Sequence, residues 1–128
     1  MKQLSIMIKP ASAACNLRCK YCFYTDVADR RDTRYYGVMP LEQMRRMLQN
    51  LQPQFAPGDR VNFAFQGGEP TLAGLQWFRE FTDITDRWDE GVEVTYALQT
   101  NATTLDEDWC RYLAEKKYLV GVSLDLLP

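Results

Sequence analysis

The sequence has little excess of charge: 15 basic side chains against 17 acidic ones leave a net −2 over 128 residues. Such a balance supplies no basic stripe for a phosphate backbone or an anionic lipid surface, so neither nucleic acid nor membrane is expected as a partner. Long apolar runs are missing as well. The first, Leu4 to Ile8, is cut by Lys9-Pro10 before a signal-peptide core could form, and no later stretch approaches the roughly 20 residues that cross a bilayer. A cytoplasmic protein is expected. Internal repeats and low-complexity segments are absent too. Core-forming material is plentiful, with 46% apolar and 12% aromatic residues, which suits one domain or part of one.

Three of the four cysteines are bunched as C-x3-C-x2-C in the stretch Cys15-Asn16-Leu17-Arg18-Cys19-Lys20-Tyr21-Cys22. In a chain expected to stay in a reducing compartment, this spacing reads as metal ligation rather than disulfide pairing. Three thiolates hold three irons of a four-iron cluster and leave the fourth iron open, whereas a structural site would fill every corner. An open iron can bind and reduce a substrate. Pro10 and the small run Ala11-Ser12-Ala13-Ala14 lie just upstream, so the motif is expected on a loop. The fourth cysteine, Cys110, falls beside Trp109 and Leu113 in a helical pattern and reads as a small core residue outside the site.

Along the chain, strand and helix patterns alternate. Leu4 to Ile8 predicts a strand, and Met39-Pro40 opens a helix with Leu41, Met44, Met47, Leu48 and Leu51 at helical spacing. Val61, Phe63 and Phe65 alternate in a second strand; Leu75, Phe78, Phe81 and Ile84 mark a second helix. Val92 to Gln99 reads as the third strand. Thr104-Leu105-Asp106-Glu107 has the form of a capping box and predicts the start of a third helix running through Trp109, Tyr112 and Leu113, before an apolar strand from Leu119 to Leu124. The order β-α-β-α-β-α-β implies an α/β fold of parallel strands, with functional loops at the strands' C-terminal ends.

The motifs fall at those ends. The cysteine loop follows strand one, Gln66-Gly67-Gly68-Glu69-Pro70 follows strand two, Thr100-Asn101 follows strand three, and Ser123 with Asp125 closes strand four. Gly67 and Gly68 lack Cβ atoms, so a ligand's amino group can approach the main chain there; by itself the pair would equally serve a tight turn capped by Glu69-Pro70. The charged stretch Asp26 to Arg34 reads as a solvated loop.

Taken together, Cys15 to Cys22 followed by Phe23-Tyr24, and Gly67-Gly68-Glu69-Pro70-Thr71 after a strand, resemble the radical S-adenosylmethionine (SAM) enzymes. More narrowly, Ile8-Lys9-Pro10-Ala11-Ser12, Tyr36-Gly37-Val38-Met39, the run Phe63 to Leu75 and Leu98-Gln99-Thr100-Asn101 resemble the anaerobic sulfatase-maturating enzymes. The resemblance implies an α/β fold that is the N-terminal part, about four strands and three helices, of a partial parallel (β/α)6 barrel. It implies an oxidoreductase that turns a cysteine or serine of a sulfatase polypeptide into formylglycine through a 5'-deoxyadenosyl radical. The implied cofactors are a 4Fe-4S cluster on Cys15, Cys19 and Cys22, and S-adenosylmethionine contacted by Tyr21, Gly68 and Ser123. By the same analogy Tyr24 and Gln66 face the peptide, Asn101 is a polar wall residue, and a ferredoxin or flavodoxin supplies electrons.

The chain departs from that family's pattern in two ways. Residues 1–128 are expected to form a truncated core domain without the C-terminal barrel half, the auxiliary-cluster region or the family's proton-accepting aspartate, and the fragment alone is expected to be inactive. The family usually has glycine where this chain has Ala102, and glycine after the aspartate at Asp125, where this chain reads Leu126-Leu127-Pro128. Two alternatives stand beside this reading: another peptide-maturing radical enzyme that forms thioethers or other cross-links, and a non-enzymatic zinc module in which Cys110 completes a four-cysteine site.

Overall fold

The computed structural model describes residues 2–11, 38–88 and 91–122. Four strands, β1 (Gln3–Ile8), β2 (Arg60–Phe65), β3 (Glu93–Thr100) and β4 (Leu119–Val122), form one sheet in the order β1-β2-β3-β4. Every neighbouring pair is parallel. Helices α1 (Leu41–Leu51), α2 (Leu75–Thr85) and α3 (Glu107–Glu115) alternate with the strands. The expected α/β order is therefore the observed one.

Pleating sends alternate residues to opposite faces. In register, Ile6, Phe63 and Tyr96 form one rung and Ile8, Phe65 and Leu98 the next, all on the face that receives the helices. Phe63 and Phe65 are fully or almost fully buried and each lies edge-on to Phe81, at 4.9 and 5.0 Å between ring centroids. Phe78 meets Phe65 at 4.9 Å and Trp109 at 5.1 Å, which carries the core on to α3. Burial of each such ring is worth roughly 1.5–3 kcal/mol. Met44 and Leu48, one turn apart on α1, close the same core.

The opposite face of the sheet is polar at the N-terminal ends of the strands. Ser5, Asn62 and Thr95 are register partners, and Asn62 Nδ2 donates to Ser5 Oγ at 3.4 Å while Thr95 Oγ1 donates to Asn62 Oδ1 at 3.0 Å. One rung lower, Arg60 and Glu93 pair at 2.6 Å. Further along the strands come the small side chains of Ala64 and Ala97, which are also register partners.

Two local expectations are corrected. Helix α3 is capped by Asp106, whose carboxylate accepts the Trp109 N–H at 2.9 Å, and not by Thr104 in a capping box. Cys110 is exposed rather than part of the core. Trp109, Tyr112 and Leu113 make the buried stripe of α3, and Cys110 lies about 100° round the helix from Trp109, off that stripe.

Candidate functional site on the strand-end rim

The cysteine-bearing segment, residues 12–37, and the segment 123–128 lie outside the described residues, so Cys15, Cys19, Cys22, Tyr21, Tyr24 and Ser123 are not placed. The chain leaves the sheet after β1 and comes back at Val38, and the two ends are tied together. The Met39 N–H donates to the Pro10 carbonyl at 2.7 Å, and the Met39 carbonyl accepts the Trp77 indole N–H at 2.9 Å. Both main-chain groups of Met39 are thereby fixed, one to the end of β1 and one to α2. Among the described residues no group of three or more His, Cys, Asp or Glu could hold a metal ion.

Gln66 extends β2, with its N–H donating to the Ile8 carbonyl at 3.0 Å, which fixes its place on the rim beside the exit of β1. Gly67 follows with φ +118°, a conformation that a side chain would oppose. Gly68 and Gly67 are half-buried. The two residues present main chain without Cβ atoms at the end of a parallel strand.

The loop then turns inward at Glu69, a residue for which the sequence offered only a turn-capping role. Its side chain is fully buried. Burial of a carboxylate is tolerated only with hydrogen-bond donors around it, and four are present. The Asn101 N–H reaches Oε1 at 2.6 Å, the Thr71 N–H reaches Oε2 at 3.1 Å, the Thr100 hydroxyl reaches Oε2 at 2.8 Å, and the Thr71 hydroxyl donates to Oε2 as well. Thr71 Oγ1 also contacts Thr104 Oγ1. Because the single Thr71 hydroxyl proton goes to Glu69, Thr104 must be the donor in that pair. The Ala102 N–H in turn donates to Thr100 Oγ1 at 3.0 Å. One carboxylate thus joins the loop after β2 to the loop after β3.

Asn101 sits on the rim, but its side-chain oxygen accepts from the Thr103 N–H at 3.0 Å and the Thr103 hydroxyl at 2.7 Å, which shapes its own loop. Ala102 follows with φ +66°, in the left-handed region that favours glycine. Of the site residues read from the sequence, the structure therefore brings Gln66, Gly68 and Asn101 to one rim. The sequence did not foretell the hydrogen-bond network that joins Glu69, Thr71, Thr100 and Thr104, although the first three lie in motifs it singled out. Their only sequence signal is a Glu after Gly-Gly with threonines clustered at two strand ends.

A parallel sheet with its helices on one face and a Gly-Gly turn at the C-terminal end of β2 defines an α/β domain of the kind whose functional loops lie on that rim. A family profile described as the Radical SAM superfamily matches residues 10–127, and the chain belongs to that superfamily. It is 43% identical over 126 residues to the cysteine-type anaerobic sulfatase-maturating enzyme of Clostridium novyi (strain NT), covering 98% of this chain and 33% of that protein. It is 38% identical over 121 residues to the serine-type anaerobic sulfatase-maturating enzyme of Klebsiella aerogenes, covering 94% of this chain and 29% of that protein. The chain thus spans about a third of the length of these curated relatives. Among solved structures, native anSMEcpe with bound AdoMet and Kp18Cys peptide superposes with a TM-score of 0.83 at 43% identity, covering 96% of this chain and 32% of that one.

Proposed function

We propose that this chain is the cofactor-binding part of an anaerobic sulfatase-maturating enzyme, an oxidoreductase that converts a cysteine or serine of a sulfatase polypeptide into formylglycine. The reading is supported by the relatives' names, by the AdoMet and peptide held in the solved neighbours, and by the rim geometry. The observation that carries it is the Gly67-Gly68 main chain, presented without side chains at the end of β2 beside the tethered ends of the cysteine segment.

In this reading Cys15, Cys19 and Cys22 hold a 4Fe-4S cluster. Bound there, the cluster and S-adenosylmethionine supply a 5'-deoxyadenosyl radical. The chain's own residues bind and orient. Gly68 offers its main chain to the cofactor's amino group, Tyr21 packs on the adenosyl part, and Ser123 contacts the ribose side. Gln66 and Tyr24 face the peptide. A reductant such as a ferredoxin or flavodoxin, in a reducing cytoplasmic setting, delivers the electron.

The test is anaerobic reconstitution of the polypeptide at its full natural length. A brown, reducible cluster whose paramagnetic signal changes on addition of S-adenosylmethionine is the expected result, followed by loss of the target side chain of a sulfatase peptide to an aldehyde in mass analysis. A colourless zinc protein would overturn the reading. A cross-linked peptide in place of the aldehyde would keep the radical chemistry and move the substrate class.

A further inference from the structure

Trp77 lies in the first turn of α2, where its main-chain N–H donates to the Gly74 carbonyl at 3.1 Å, and only 4% of it is exposed. Three neighbours fix the plane of its indole. Phe81 stacks on it at 5.7 Å between ring centroids with 24° between the planes, Phe65 meets it edge-on at 6.0 Å, and Phe78 packs beside it at 5.1 Å. A phenylalanine would satisfy all three contacts. What the indole adds is one N–H, which can donate but not accept, and its place in this packing aims it at the Met39 carbonyl, 2.9 Å away.

That carbonyl belongs to the residue whose N–H is bonded to the Pro10 carbonyl at 2.7 Å. Pro10 is buried and follows β1, whose end is itself held by the Gln66 N–H on the Ile8 carbonyl at 3.0 Å. Met39 precedes α1, and the N-cap of that helix, Pro40, makes no side-chain hydrogen bond. The entry to α1 is therefore fixed one residue earlier, by the two bonds of Met39, one to the end of β1 and one to α2. Trp77 is 38 positions along the chain from Met39, so the bond exists only because the folded β2 and α2 carry the indole there.

We propose that Trp77 is a positioning residue for the iron–sulfur cluster: its indole N–H holds Met39 against Pro10 and so fixes, before any cluster is bound, the two points between which the polypeptide bearing Cys15, Cys19 and Cys22 runs. This rests on the cluster assignment made above. Three thiolates of one polypeptide must converge on one cluster, and each degree of freedom removed beforehand is one that ligation need not freeze. The indole acts through Met39, at the anchorage of the ligands.

The experiment uses the full-length polypeptide, with and without its cluster, handled without oxygen. Hydrogen exchange at the Met39 amide reads the tie itself, and the rate at which a chelator of iron(II) strips the cluster reads its consequence; neither depends on turnover. In the unmodified protein the Met39 amide is expected to be protected in the absence of the cluster. Trp77→Phe is expected to speed exchange at that amide and loss of iron each about three- to tenfold, the scale of one hydrogen bond. Trp109→Phe removes an indole from the same aromatic core, where Trp109 meets Phe78 at 5.1 Å, and is expected to lower the melting temperature while changing either rate by less than about twofold. An unprotected Met39 amide in the cluster-free unmodified protein overturns the proposal, and that measurement needs no variant to fold. Equal acceleration by both variants, which would mark Trp77 as packing alone, or no acceleration by Trp77→Phe, overturns it too. In each of these cases the functional reading stands; unmodified protein that takes up no iron–sulfur cluster overturns both.

Discussion

Gln99 on β3 and Gly121 on β4 are register partners, and a Cβ built on Gly121 would overlap the Gln99 side-chain oxygen. The absence of a side chain on one strand is what lets the amide of the other lie across it. Continuing the β2–β3 register beyond Phe65 and Leu98 places Gln66 beside Gln99 on the same face. Gly121→Ala is therefore expected to push Gln99 out of place at a cost of about 1 kcal/mol, the low end for overpacking, because the clashing atom is the end of a movable side chain. Gln99→Ala should remove that cost, so the double variant is expected to be no less stable than Gln99→Ala alone. Denaturant melts of the three variants measure the non-additivity.

Ala102 gives a prediction of the opposite sign. At φ +66° an alanine is held where its Cβ crowds the following carbonyl, a strain of roughly 1–2 kcal/mol. Ala102→Gly relieves it but gives the unfolded chain more freedom, which returns part of the gain. A net stabilisation of about 0.5–1 kcal/mol is expected, read as a raised melting temperature. A loss of stability would show that the turn is held by contacts of the methyl group.

Alkaline pH should act through three tyrosines. Tyr96, Tyr112 and Tyr118 share a buried cluster in which Tyr112 and Tyr118 hydroxyls meet at 2.8 Å and Tyr96 meets the Thr85 hydroxyl at 2.6 Å. Burial pushes the Tyr112 phenol up to about 12 and raises the other two as well. A folded value above the unfolded one means the stabilisation is complete below the ordinary phenol range near 10 and is lost as pH rises beyond it. Phenolate absorbance for these three is expected to appear together with loss of near-ultraviolet circular dichroism above pH 10.

Asp59 responds at the acid end. Its carboxylate accepts the Lys2 N–H at 2.8 Å and the Ala56 N–H at 2.9 Å, and these two bonds hold its pKa below the usual carboxylate range. Lys2 is also held by its ammonium on the Gln54 carbonyl at 2.6 Å and over the Phe55 ring. With the folded value lowered, the stabilisation is present above the ordinary carboxylate range and fades as pH falls through the folded value. Asp59→Asn should lower the melting temperature at neutral pH and flatten its dependence on acid. An unchanged acid slope would rule the residue out as its source.

The fold was legible because its signals are local. Val61, Phe63 and Phe65 alternate, Met44 and Leu48 lie one helical turn apart, and each pattern is carried by residues close together in the chain. Thr104 shows where local reading fails: its spacing to Glu107 fits a capping box, yet its hydroxyl turns to Thr71, 33 residues away, and Asp106 takes the cap. Glu69 was illegible for the same reason, since Thr100 and Asn101 approach it from 31 and 32 residues along the chain. Spacing in sequence cannot report a contact that only the β2–β3 pairing creates.

The sheet face opposite the helices changes character along its length, from the bonded Ser5, Asn62 and Thr95 through Ala64 and Ala97 to Gln99 and the Gly67-Gly68 turn. Parallel strands all end on the same edge, so this gradient has one direction, from an exposed polar end cross-linked by hydrogen bonds to the rim. Exchanges at the polar end then bear on how the strands are cross-linked and exchanges at the rim on the loops, with the two alanines between them as register partners.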